Sequence, residues 1–163
     1  MSQTNELEMM ELIALDFEGV EESLASSFNT GAEDFNALIR PLSAAGGKRL
    51  RAQLCLLIAN AGTSVERQRI RIAEAVEMLH LATLIHDDVL DQAEIRRGEE
   101  TIHMHKGNKV ASLSGDYLFA KAFQIVSEMP NMKYLKIVSH IITCLVEGEF
   151  MQMEDVYRID QGI

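Results

Sequence analysis

The chain has 163 residues, 47% of them apolar, and carries 25 acidic and 15 basic side chains for a net charge of −10. That length and composition suit one domain with a sizeable core and exclude a disordered chain. No uncharged apolar run is long enough for a membrane span, and the N-terminus lacks the basic-then-apolar order of a signal peptide; the two cysteines, read as reduced, lead to the expectation of a cytoplasmic protein.

The acidity is uneven. Nine acids precede the first base, Arg40: Glu6, Glu8, Glu11, Asp16, Glu18, Glu21, Glu22, Glu33 and Asp34. From Arg40 on, the remaining 16 acids face 15 bases, a near balance. The excess therefore reads as a solvated face of an N-terminal helix. It argues against a nucleic-acid ligand, because a phosphate backbone needs a basic face.

In chain order, Leu7, Met10, Ile13, Ala14, Phe17, Val20, Leu24 and Phe28 recur at helical steps and predict a first amphipathic helix. A loop at Asn29-Thr30-Gly31 precedes a short helix that Pro41 should interrupt. Gly46-Gly47 opens the next helix, which runs to Gly62. Thr63 and Glu66 have the spacing of a capping box. They start a long helix through Ile70, Ala73, Val76, Leu79, Leu84 and Ile85. Residues 92–107 read as a loop, and Asn108 can cap a helix to about Met129. Pro130-Asn131 breaks the chain before a last helix that carries Leu135, Val138, Ile142, Leu145 and Val146. No useful strand alternation and no linker appear, so residues 1–163 read as a single all-α domain of helices long enough to form a bundle. Cys55 and Cys144 lie in apolar helical patterns and read as reduced core residues.

The most informative run is His86-Asp87-Asp88-Val89-Leu90-Asp91, followed by Arg96-Arg97-Gly98. Asp87 and Asp91 share a helix face, where like charges repel, and all three carboxylates sit near a helix C-terminus that disfavours them. Folding alone has no use for that arrangement. An oxygen-only cluster suits a hard cation, and Mg²⁺ is the usual one beside phosphates. Arg96 and Arg97 would then face the anion that the metal carries, since a guanidinium fork fits phosphate oxygens.

The basic run Gly46-Gly47-Lys48-Arg49-Leu50-Arg51 places three bases in the first turn of a helix, the unfavourable end for cations. A bound anion would remove the conflict. The P-loop spacing is absent. A solvated basic turn paired with acids is the alternative. His80 stands seven residues before Asp87, two turns along the same face. His103 and His105 fit a surface loop better than a metal pair, and His140 fits a core or surface role.

Together these motifs resemble the trans-isoprenyl diphosphate synthases, also called polyprenyl synthetases, over about residues 40–155. GGKRLR at 46–51 is similar to the family's G-G-K-R-x-R. Residues 73–98, AEAVEMLHLATLIHDDVLDQAEIRRG, resemble its first aspartate-rich block. GNKVASLSGDYLFAKAF at 107–123 resembles the helix that follows, and GEFMQ at 148–152 resembles G-E-x-x-Q.

The resemblance implies a helical bundle of the isoprenoid synthase type and head-to-tail prenyl transfer between an allylic diphosphate and isopentenyl diphosphate. It implies that Asp87 and Asp91, with Asp88 nearby, hold Mg²⁺ and that Arg96 meets the allylic diphosphate. Lys48, Arg51, His80 and Arg97, with Arg49 beside them, would bind the diphosphate of isopentenyl diphosphate, and Gln152 would lie near the allylic site. Ala82 and Thr83, five and four residues before Asp87, are small, which favours a product longer than farnesyl diphosphate. A homodimer, or a heteromer with another synthase chain, is implied as the assembly. The family's second aspartate-rich motif and Lys-Thr motif are missing. The chain is therefore expected to correspond to the N-terminal half of a synthase, a fragment or one half of a split enzyme with little activity alone. The alternatives are a non-catalytic subunit that modulates a partner's product length, and an unrelated helical metal-binding protein.

Overall fold

A computed structural model describes residues 3–29, 33–44, 48–62 and 65–156. Seven helices and one small hairpin are found among them: α1 (Gln3–Ser27), α2 (Glu33–Ala44), α3 (Leu50–Asn60), α4 (Glu66–Leu90), β1 (Ile95–Arg96), β2 (Glu99–Glu100), α5 (Ile102–Lys106), α6 (Asn108–Ser127) and α7 (Lys133–Val156). The all-α expectation holds.

The 25-residue α4 is the axis of the bundle, with α6, α3 and α1 packed around it. Its small residues Ala73, Ala75 and Ala82 are fully buried and let neighbours approach closely, while Met78, Leu81 and Ile85 fill the core. α1 contributes Val20, Leu24 and Phe28, and α6 contributes Leu118, Ile125 and Val126. Of the positions expected from periodicity in α1, Ile13 and Phe17 pack against this core, whereas Met10 and Ala14 are exposed and the side chain of Leu7 lies outside the described residues. α7 behaves differently. Val138 is buried and Leu135 and Ile142 pack on the core, but Leu145 and Val146 are exposed, with Ile137, Ile141, Phe150 and Met151.

Several boundaries correct the sequence reading. Pro41 does not interrupt α2, which runs on through it from Glu33 to Ala44; the proline nitrogen has no hydrogen to donate to the helix at that point. Gly46, Gly47 and Thr63 lie outside the described residues. α3 begins only at Leu50, with Arg49 as its N-cap, so Lys48 and Arg49 precede the helix instead of forming its first turn. The N-cap of α4 is Val65, without a side-chain capping bond. Gly107, not Asn108, caps α6. Its φ of 83° is easily reached only by glycine, which makes it the point where the chain can turn into the helix. The expected loop at 92–107 contains the β1–β2 hairpin and α5. Its strands pair Ile95 with Glu100 and Arg96 with Glu99, too short for any alternation to register. The two-residue turn, Arg97-Gly98, has positive φ at both positions, 54° and 87°, as a type I′ turn requires.

The acidic N-terminal helix is not merely a solvated face. Glu11, Glu18 and Glu22 are exposed, but Asp16 is buried. Arg69 grips it through Nε at 2.8 Å and Nη2 at 3.2 Å, and Asn60 donates Nδ2–H to the same carboxylate at 2.9 Å. One acid thus ties α1 to both α3 and α4. Ser23 and Ser27 donate to the buried Glu74, each at 2.7 Å, and make a second tie between α1 and α4. Cys55 packs on the core, and burial raises its thiol pKa. Cys144 is exposed on α7, contrary to the expected core position, because no described element covers that face of the helix.

Candidate functional site

Two clefts lie along α4. Residues 80, 83 and 87 recur at three- and four-residue steps and therefore line one stripe of the helix, with His80 about 10 Å along the axis from Asp87.

The first cleft, about 390 Å³, lies between α4, α6 and α7. Its walls are largely apolar, with Val89, Phe119, Ile142 and Leu145 among them, and it carries Asp87 from α4 and Glu149 from α7. Burial pushes the Asp87 carboxyl above the usual range, and the charges of Glu149 and Asp91 push it further, against the opposing pull of Arg96. Asp91 caps the C-terminus of α4, its N–H bonded to the Asp87 carbonyl at 2.8 Å, and is exposed. Asp88 points elsewhere. It is buried and accepts the Arg96 Nε–H at 2.6 Å. Among the described residues no three His, Cys, Asp or Glu side chains cluster closely enough to cage a metal unaided. The mutual repulsion around Asp87 is nevertheless what a hard cation relieves, and carboxylate oxygen is the donor such a cation takes.

Glu149 was not singled out from the sequence. Its signal is the second position of the GEFMQ run, in which Gln152 is the residue expected at the site. Gln152 is exposed and does not line the cleft; Ala82 is fully buried in the core and does not line it either, whereas Thr83 does. His86 opens the aspartate-rich run, but the sequence assigns it no role. Its Nε2 stands 3.1 Å from the Ser112 carbonyl and 3.4 Å from Asp116, and its ring packs on Phe119. Gly115 makes room for it, since a Cβ there would collide with the imidazole.

The second cleft, about 200 Å³, collects Lys48, Arg49, Arg51, Glu77, His80 and Arg97 from three separate stretches of chain. All the bases expected to share an anion are thus brought together. Arg51 lies with Nη1 3.1 Å from His80 Nε2. Guanidinium is only a donor, so the imidazole nitrogen accepts and must be unprotonated there. Burial, and then the charge of Arg51, hold the His80 pKa below its ordinary value, in keeping with that role. Arg49 is buried and its guanidinium is already engaged, 2.8 Å from Glu21 and 3.7 Å from Glu77. Arg97 occupies the tight hairpin turn described above. His103 bonds Thr101 at 3.0 Å and His105 faces Glu100 at 3.4 Å, and neither histidine lines either cleft.

Residues 32–162 match the family model of polyprenyl synthetases. Over 146 residues the chain is 34% identical to an octaprenyl diphosphate synthase of Escherichia coli (strain K12), covering 90% of this chain and 45% of that protein. It is 36% identical over 156 residues to heptaprenyl diphosphate synthase component 2 of Geobacillus stearothermophilus, covering 95% and 48% respectively. The fold is similar to that of a polyprenyl synthase from Caulobacter crescentus CB15 solved in complex with calcium and isoprenyl diphosphate. The TM-score is 0.87 at 34% identity, over 94% of this chain and 47% of that one. The chain therefore spans about half the length of these relatives. On the matched motifs, the fold and this similarity, the chain belongs to the polyprenyl synthetase family.

Proposed function

We propose that this chain works in head-to-tail prenyl transfer, condensing an allylic diphosphate with isopentenyl diphosphate to give a longer polyprenyl diphosphate. The observation that carries the reading is the pair of clefts on α4: one apolar with carboxylates at Asp87 and Glu149, the other basic and built by Lys48, Arg51, His80 and Arg97.

Asp87 and Asp91 would hold Mg²⁺, which takes one or two carboxylates and fills its remaining positions with water and phosphate oxygens. When bound, the cation offsets the charge that develops on the departing allylic diphosphate. Arg96 grips Asp88 through Nε, and the other donors of its fork would meet the same diphosphate. Asp88 acts in this reading by orienting Arg96. Lys48, Arg51 and Arg97 would bind the isopentenyl diphosphate, with neutral His80 fixing the Arg51 guanidinium. The apolar walls would receive the prenyl chain and exclude water from the cationic intermediate. Thr83, small and at the wall, leaves the way open and supports a product longer than farnesyl diphosphate. The exposed apolar residues of α7 support an assembly with a further polypeptide, either a second copy or a companion synthase chain, and one relative is named as a synthase component.

The test incubates the purified chain with Mg²⁺, farnesyl diphosphate and isopentenyl diphosphate, measuring both diphosphate binding and lipid product length. Mg²⁺-dependent binding that is lost in Asp87→Ala, with any product longer than farnesyl diphosphate, is expected. A chain that takes up neither diphosphate with Mg²⁺ present would sink the reading.

A further inference from the structure

Among the described residues lining the basic cleft, Glu77 alone is acidic, and a negative charge there opposes an incoming anion. Its placement is nonetheless highly determined. The side chain is only 4% exposed. One carboxylate oxygen accepts the Ala52 backbone N–H at 3.0 Å, and the other lies 3.7 Å from Arg49 Nη1. Ala52 sits in the first turn of α3, where an N–H has no partner within the helix. The local N-cap residue, Arg49, supplies no side-chain bond and stands in the left-handed region at φ 45°. The capping group therefore comes from a different helix, 25 residues further along the chain.

That bond joins the two elements that build the cleft. α3 carries Arg51 directly before Ala52, and α4 carries His80 three residues after Glu77. The Arg51–His80 contact at 3.1 Å spans the same junction. We propose that Glu77 is a positioning residue: its carboxylate pins the start of α3 to α4 and so sets Lys48 and Arg51 at the separation from His80 and Arg97 that one diphosphate group requires. The inference rests on the reading of this cleft as a diphosphate site. It explains why an acid is kept where charge alone disfavours one.

Two near-isosteric variants separate reach from charge. Glu77→Asp keeps the charge but withdraws the carboxylate from Ala52 by about 1.5 Å. Glu77→Gln keeps an acceptor oxygen at full reach but removes the charge. Binding of inorganic diphosphate to the intact chain is measured by titration calorimetry, with circular dichroism confirming the helical fold of each variant. Glu77→Asp is expected to weaken binding about tenfold, the worth of one lost buried hydrogen bond. It should also speed hydrogen exchange at the Ala52 amide. Glu77→Gln is expected to tighten binding about threefold through the loss of like-charge repulsion. Full-strength binding by Glu77→Asp, or weakening by Glu77→Gln, overturns the positioning role. A parent chain that binds no diphosphate removes the anion site and this inference with it, whereas tight binding by the parent and by Glu77→Asp alike removes the inference alone.

Discussion

Arg51 Nη1 approaches His80 Nε2 to 3.1 Å, a contact that exists only while the imidazole nitrogen is free to accept. Burial and the Arg51 charge lower the folded-state pKa of His80 from its ordinary 6.5. On acidification the unfolded chain therefore takes up this proton before the native one does. The contribution of His80 to stability is fully present above 6.5 and is lost as pH falls from there towards the depressed folded value. His80→Gln should flatten the acid side of the stability profile. Denaturant midpoints at about pH 8 and about pH 5 check this, and an equal loss in parent and variant would contradict it.

Asp87 has the opposite sign. Its folded pKa lies above 3.8, raised first by burial and then by Glu149 and Asp91. The native state holds the proton longer than the unfolded chain, so stability declines as pH rises through that window. Asp87→Asn removes the penalty. The variant should be more stable than the parent at neutral pH by no more than about a few tenths of a kcal/mol, since solvent screens a carboxylate this exposed, with the gap closing as pH falls below 3.8. The same variant should lose Mg²⁺-dependent diphosphate binding. Higher stability with lower binding, from melting curves and calorimetry on one preparation, is the expected pairing.

What the sequence made legible follows from range along the chain. Asp87, Asp91, Arg96 and Arg97 fall within eleven consecutive residues, so helix geometry and charge alone raised them as a site. Lys48 and Arg51 share one basic run, but His80 and Arg97 are joined to them only by tertiary packing, and the family resemblance is what groups all four from the sequence. Glu149 escaped because one acid on a helix with other acids reads as solvated until α7 is seen to bring it beside Asp87. Asp16 escaped for the same reason, its partner Arg69 being 53 residues away. The hairpin was invisible because two-residue strands have no period to detect. Its Arg97-Gly98 turn carried the only local cue, and Arg is an unusual first residue for it.

That unusual residue leads to a third expectation. Arg97 has φ 54° in a turn that favours Asn at this position. A non-glycine residue held in the left-handed region pays on the order of 1 kcal/mol. Arg97→Asn should therefore stabilise the chain by roughly half to one kcal/mol while weakening diphosphate binding. The comparison needs only a denaturant melt and a titration. If the variant is less stable than the parent, the turn is not strained by Arg97.

The bidentate Asp16–Arg69 pair joins α1 to the helix that bears both clefts, and it is buried on both sides. Removing one partner leaves an uncompensated charge in the interior, which typically costs about 3–5 kcal/mol. Replacing both with apolar residues leaves no charge behind, and Asn60 retains its bond to the Leu56 carbonyl. Arg69→Met alone should thus be severely destabilising, and Asp16→Leu combined with Arg69→Met should recover most of that loss. Urea unfolding of the parent, both single variants and the double variant closes a cycle in which the coupling is large and favourable. Additive losses would mean that the two charges are independently solvated, and that α1 is held to α4 by Val20, Leu24 and Phe28 and by the Glu74 serines instead.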